Sequence, residues 1–115
     1  MAGKKEIRTK FRTEVFTRDQ FKCCTCGYCP PACPHEYALL DKPKTLDAHH
    51  ITDRNEMPNG GYVKENGISL CEECHKKAEK FHQTGGEEWV EGFHPNDLYE
   101  KINSSYELAN EKSRQ

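Results

Sequence analysis

Two Cys-x-x-Cys pairs, Cys23–Cys26 and Cys71–Cys74, constrain this chain more than any other feature it carries. That spacing holds two sulfurs on one turn, and two such turns can converge on one tetrahedral zinc ion. Disulfides are the alternative chemistry, but seven cysteines are an odd number and leave one thiol over. The opening residues, Met-Ala-Gly-Lys-Lys-Glu, precede no apolar run and do not read as a signal peptide, so a cytoplasmic, reducing setting is expected. A zinc staple also meets a physical need. The chain has 115 residues, of which 34% are hydrophobic, and a mean hydropathy of -1.00, so its single core must be thin. These values leave no room for a second domain or a nucleotide-binding sheet of ordinary size. No window approaches the ~18 apolar residues of a membrane span, so no membrane partner is expected.

Charge is unevenly placed. Residues 1–22 carry Lys4, Lys5, Arg8, Lys10, Arg12, Arg18 and Lys22 against three acids, whereas 84–115 carry three basic residues against seven acids. A basic arm and an acidic tail suit a polyanion met on one face only, but a solvated mixed surface has the same charges, and charge alone does not decide between them. Arg12 and Arg18 are the leading candidates for phosphate contact.

Apolar spacing at Phe11, Val15 and Phe16 predicts an amphipathic helix over 8–19. Residues 28–45, with four prolines, Cys29, Cys33 and His35, read as an irregular insertion. Together with Cys24, those three ligand-type residues have the make-up of a second zinc site, or of free thiols. Leu46–Ile51 and Asn66–Leu70 read as short antiparallel strands, joined by a loop whose turn is Pro58-Asn59-Gly60-Gly61. The next segment, 71–83, reads as a helix. One face collects Cys71, Cys74, His75, Ala78, Phe81 and His82, and Glu72, Glu73, Lys76, Lys77, Glu79 and Lys80 are assigned to the other. A core stripe would use Leu and Ile there; this one is suited to ligation. Leu98, Ile102, Tyr106 and Ala109 predict one C-terminal helix from about Pro95 to about residue 111. The chain therefore divides into a basic arm and helix (1–22), a core (23–83) and a linker with a helix (84–115).

Neighbouring side chains of a strand point to opposite faces, so His49 and His50 cannot share one job. One can hold a metal ion while the other addresses substrate. His75 can reach the same ion if the hairpin packs on the helix. A divalent ion with open positions beside a free imidazole is equipment for phosphodiester hydrolysis. Two simpler readings compete: a pair of partly exposed strand histidines, and a haem-attachment string at Cys71-x-x-Cys74-His75.

The order Arg18-Asp19-x-Phe21-x-Cys23-x-x-Cys26-Gly27, Asp47-x-His49-His50-Ile51, and Asn66-Gly67-Ile68-Ser69-Leu70-Cys71-x-x-Cys74-His75 resembles the HNH endonuclease family over roughly residues 8–82. The resemblance implies a small α+β fold, a β-hairpin and helix around a catalytic metal, stapled by structural zinc and flanked by N- and C-terminal helices. It implies that His49 and His75 ligate the catalytic ion (Mg2+, Mn2+ or Ni2+) and that His50 is the general base. Asn66 would fix the loop and hold His50 in orientation, and Cys23, Cys26, Cys71 and Cys74 would bind Zn2+. The implied activity is metal-dependent hydrolysis of DNA, by nicking as a monomer or by double-strand cleavage as a weak dimer, in a phage or bacterial restriction, homing or packaging setting. The alternative is a catalytically silent zinc module that recruits nucleic acid or protein.

Overall fold

The computed structural model describes residues 4–26 and 46–114, so Cys29, Cys33 and His35 of the insertion lie outside the described residues. Among the described residues, four α-helices and a two-stranded sheet form: α1 (Lys4–Arg18), β1 (Asp47–His50), β2 (Gly67–Leu70), α2 (Glu72–Gln83), α3 (Pro95–Lys101) and α4 (Tyr106–Ser113). This is the small α+β fold expected. The strands pair antiparallel in the register Asp47–Leu70, Ala48–Ser69, His49–Ile68 and His50–Gly67. The turn at Pro58–Gly61 sits in the loop between them, with Asn59, Gly60 and Gly61 all at positive φ.

α1 begins before the apolar period starts, because its first turns are exposed and leave no periodic signal. Its Phe11, Val15 and Phe16 are buried with Leu46, Ile51, Ile68 and Leu70, so the helix lies across the hairpin. Burial of that kind contributes ~1.5–3 kcal/mol per large side chain. Gly67 makes the close approach possible. Its φ of -127° suits any residue, but a Cβ there would stand 2.5 Å from Val15 Cγ2 and 2.7 Å from Phe11 Cζ. Gly67→Ala is therefore expected to destabilise the fold by about 1–3 kcal/mol, read as a lower midpoint in urea.

Arg18 is not free for DNA. It chelates Asp19 at 2.7 and 2.8 Å and donates to the carbonyls of Lys64 (2.6 Å) and Gly67 (2.7 Å). Asp19 accepts in turn from the Ser69 amide at 2.9 Å. The pair ties the end of α1 to β2, which corrects the expectation of an outward-facing Arg18. Arg12 does stay exposed.

The single C-terminal helix expected from the spacing is two helices. Asn103 adopts φ +56°, Ser104 Oγ donates to the Glu65 carbonyl at 2.8 Å, and Ser105 caps α4 by accepting from the Leu108 amide at 3.1 Å. Serine and asparagine favour such caps and turns over helix interiors, so the apolar period runs through a break. The break lets α4 fold back onto the β1–β2 loop.

Candidate active site

The turn after α1 delivers Cys23 and Cys26, and the junction of β2 with α2 delivers Cys71 and Cys74. The Cys24 amide donates to the Ser69 carbonyl at 2.9 Å and fastens that turn to the sheet. The four sulfurs lie within 4.8 Å of one another, with Cys26 and Cys71 at 3.6 Å. This donor set fits zinc. Burial pushes the Cys23 thiol up, but hydrogen bonds from the Thr25 hydroxyl and from nearby backbone amides outweigh it and lower its pKa to about 6. Cys24 stands outside the group, and burial and Asp19 push its thiol up to about 12.

On β1 the alternation works as the strand period requires. His49 faces α2 and is 2% exposed. Its Nδ1 lies 3.2 Å from Glu79 Oε1, and the same oxygen lies 3.1 Å from His75 Nε2. Neither nitrogen of His49 makes a hydrogen bond of acceptable geometry. A buried imidazole with two unused nitrogens beside a carboxylate and a second imidazole fits a divalent ion. The ligand atoms of His49, His75 and Glu79 all lie within 4.8 Å of one another. Burial lowers the pKa of His49, and the adjacent His49 ring is the main influence holding the Glu79 carboxyl down to about 2. Asp47 Oδ2 sits 3.3 Å from His75 Nδ1 and raises the pKa of that imidazole.

The structure corrects the expectation that places Glu79 on the opposite helix face. At ~100° per residue it lies only about 40° from His75, just past the edge of the ligand stripe, so the i,i+4 relation was the signal available. His82, grouped with the ligands by the same arithmetic, instead donates from Nε2 to the His50 carbonyl at 3.1 Å and braces the strand.

His50 turns the other way. Its ring stacks on Phe11 at 4.4 Å and meets the edge of Tyr62 at 4.8 Å. Burial, with help from His49 and Arg54, lowers its pKa to about 4, so the imidazole is neutral near pH 7. One shallow cleft is lined by His49, His50, Asp53, Arg54, His75, Glu79 and His82.

The HNH endonuclease family model matches residues 26–81, a span that holds both strands, most of α2, and three of the four clustered cysteines. This segment is an HNH domain. Neither the curated proteins nor the solved structures gave a match. The match leaves out Cys23, α1, α3 and α4, yet the chain outside the HNH domain supports it directly.

Asn66 of the HNH domain is fully buried, and its amide is fully used. Oδ1 accepts from the Thr52 amide (2.9 Å) and the Tyr99 hydroxyl (2.7 Å), while Nδ2 donates to the carbonyls of Thr52 (3.1 Å) and Gly61 (3.2 Å). Because Tyr99 donates to Asn66, Thr52 Oγ1 donates to Tyr99 at 2.6 Å. Gly61 is needed here: at φ +66°, a Cβ would stand 2.6 Å from Asn66 Nδ2. The Asn66 side chain thus pins the loop that follows His50. Tyr99, on α3, is a partner that no local motif announces. Tyr99→Phe would leave Thr52 Oγ1 without its acceptor and Asn66 short of one donor. It is expected to cost about 1–3 kcal/mol in urea unfolding.

Proposed function

We propose that the HNH domain hydrolyses DNA phosphodiester bonds, with His50 as general base and with His49, His75 and Glu79 holding a divalent ion such as Mg2+, Mn2+ or Ni2+. The observation that carries this reading is the pairing of opposite strand faces. On one, a buried His49 with no hydrogen bond meets Glu79 and His75; on the other, a neutral His50 lines the same cleft. A divalent ion bound there supplies Lewis-acid stabilisation of the charge that develops on the phosphoryl group and the departing 3′ oxygen.

The remaining work belongs to the side chains. His50 takes the proton of the attacking water, and Phe11 and Tyr62 limit its ring to one orientation. Asp47 beside Nδ1 orients His75 so that Nε2 faces Glu79, as carboxylates do for ligating histidines. Asn66 is a positioning residue, acting through the loop backbone. Cys23, Cys26, Cys71 and Cys74 hold a structural Zn2+. With one such site per chain, the expected product is a nick, and a double-strand break requires a dimer or paired nicks. Among the described residues no helix is long and apolar enough to cross a membrane.

The test is supercoiled plasmid incubated with each of the three metals, with and without chelator. Metal-dependent conversion to open circles is the expected result. Plasmid that stays supercoiled in every metal would overturn the nuclease reading and leave a zinc module that binds without cutting.

A further inference from the structure

With Arg18 consumed by the fold, the cations next to His50 are Arg54 and Arg8. A second shallow groove adjoins the first, lined by Ile7, Arg8, Arg54, Asn59, Gly60 and Tyr62. Arg54 lines both grooves and so stands at their junction. Its Nη1 donates to the Tyr62 hydroxyl at 3.1 Å, and the ring of that tyrosine lies edge-on to His50 at 4.8 Å. One aromatic ring therefore separates the guanidinium from the imidazole. Arg8, on the exposed face of α1, lines the groove from the other side and interacts with the same hydroxyl. Together they hold the Tyr62 hydroxyl below its usual pKa, Arg54 most strongly.

Neither arginine is held in a close ion pair: among the described residues, no carboxylate lies within 4.0 Å of either guanidinium. Asp53 lines the cleft with Arg54 and attracts it at longer range, while its Oδ1 accepts from the Asn55 amide at 3.1 Å. Gathering two exposed cations costs free energy through their mutual repulsion, a cost that an anion between them removes. Guanidinium groups present several N–H donors in a fork that matches phosphate oxygens.

We infer that Arg54 and Arg8, gathered around Tyr62, form a phosphate subsite that grips a phosphodiester neighbouring the scissile one on the strand being cut. The inference rests on the nuclease reading for its location, and its binding chemistry stands without it. Tyr62 presents Arg54 toward the strand through its hydroxyl and supports His50 through its ring, so one side chain couples the grip on the backbone to the placement of the base.

The experiment compares wild type and Arg54→Gln on a short duplex carrying the mapped nick position. Arg54→Gln is expected to raise KM about tenfold with kcat within about twofold, Arg8→Gln to do the same more weakly, and thermal midpoints to hold for these exposed residues. In the His50→Ala background, Arg54→Gln should reduce the slope of log affinity against log salt by about 0.9. A neutral methylphosphonate at one phosphate beside the nick should weaken wild type about tenfold and leave Arg54→Gln unaffected. A fall in kcat with KM and salt slope unchanged would overturn the inference, leaving Arg54 as a brace for Tyr62. If wild type fails to nick at all, the salt slope still decides: an Arg54-dependent slope upholds the subsite while the nuclease reading falls, and an unchanged slope removes both.

Discussion

His50→Ala is expected to lower plasmid nicking by about two to four orders of magnitude, the range for losing a general base. Zinc content and the binding of the divalent ion should stay near wild type, because His50 faces α1 and the ligand group lies on the other strand face. Some stability will be lost with the ring that stacks on Phe11, so the thermal midpoint should fall without abolishing the fold. His49→Ala should behave differently. It removes a buried group that lies against Glu79, and both the bound divalent ion and the activity should go together. Metal titration of the two variants beside the nicking assay separates the roles. Loss of the ion in His50→Ala with retention in His49→Ala would mean that the two faces are assigned the wrong way round.

Cys71→Ser is expected to unfold the domain. Structural zinc in a four-cysteine site contributes an apparent ~10–16 kcal/mol near neutral pH, as large as the whole net stability of an ordinary domain at ~5–15 kcal/mol. Nothing else in the described chain replaces it. The cluster joins the turn after α1 to the start of α2, and the apolar core beside it is small, with Cys23 and Cys74 among its members. The measurements are far-UV circular dichroism and zinc stoichiometry. Wild type should carry about one zinc through this site and lose helix signal on strong chelation, while Cys71→Ser should resemble the chelated protein. Folded wild type with essentially no zinc would sink the idea.

The residues that were legible in advance share one property: their relations are short-range. Cys23 and Cys26, or Cys71 and Cys74, are close because three residues of chain leave little choice, and the strand period puts His49 and His50 on opposite faces whatever surrounds them. Helical repeat aligns His75 with the thiols, and Phe11 with Val15. From these follow the hairpin, the helix after it, the two sulfur pairs and the opposed strand histidines. Docking of the helix and the turn brings the four sulfurs into one group and His49 with His75 into another. Glu79 is equally local: its charge groups it with the outer face, but its angle keeps it beside His75.

Other assignments depend on which surfaces meet, and no window of sequence contains that. Arg18 has the same chemistry as Arg54, yet the carbonyls of Lys64 and Gly67 absorb it, while Arg54 is left facing two clefts. Asn66 opens the second strand in sequence, but the partner that completes its hydrogen bonds, Tyr99, lies thirty-three positions on. The C-terminal period runs unbroken through residues that the fold uses to turn back onto the β1–β2 loop. Covalent spacing and backbone periodicity set which side chains can share a turn, a strand face or a helix stripe. Partners for long or polar side chains are chosen by desolvation and hydrogen-bond competition once distant elements dock, and only the assembled fold presents those competitors together.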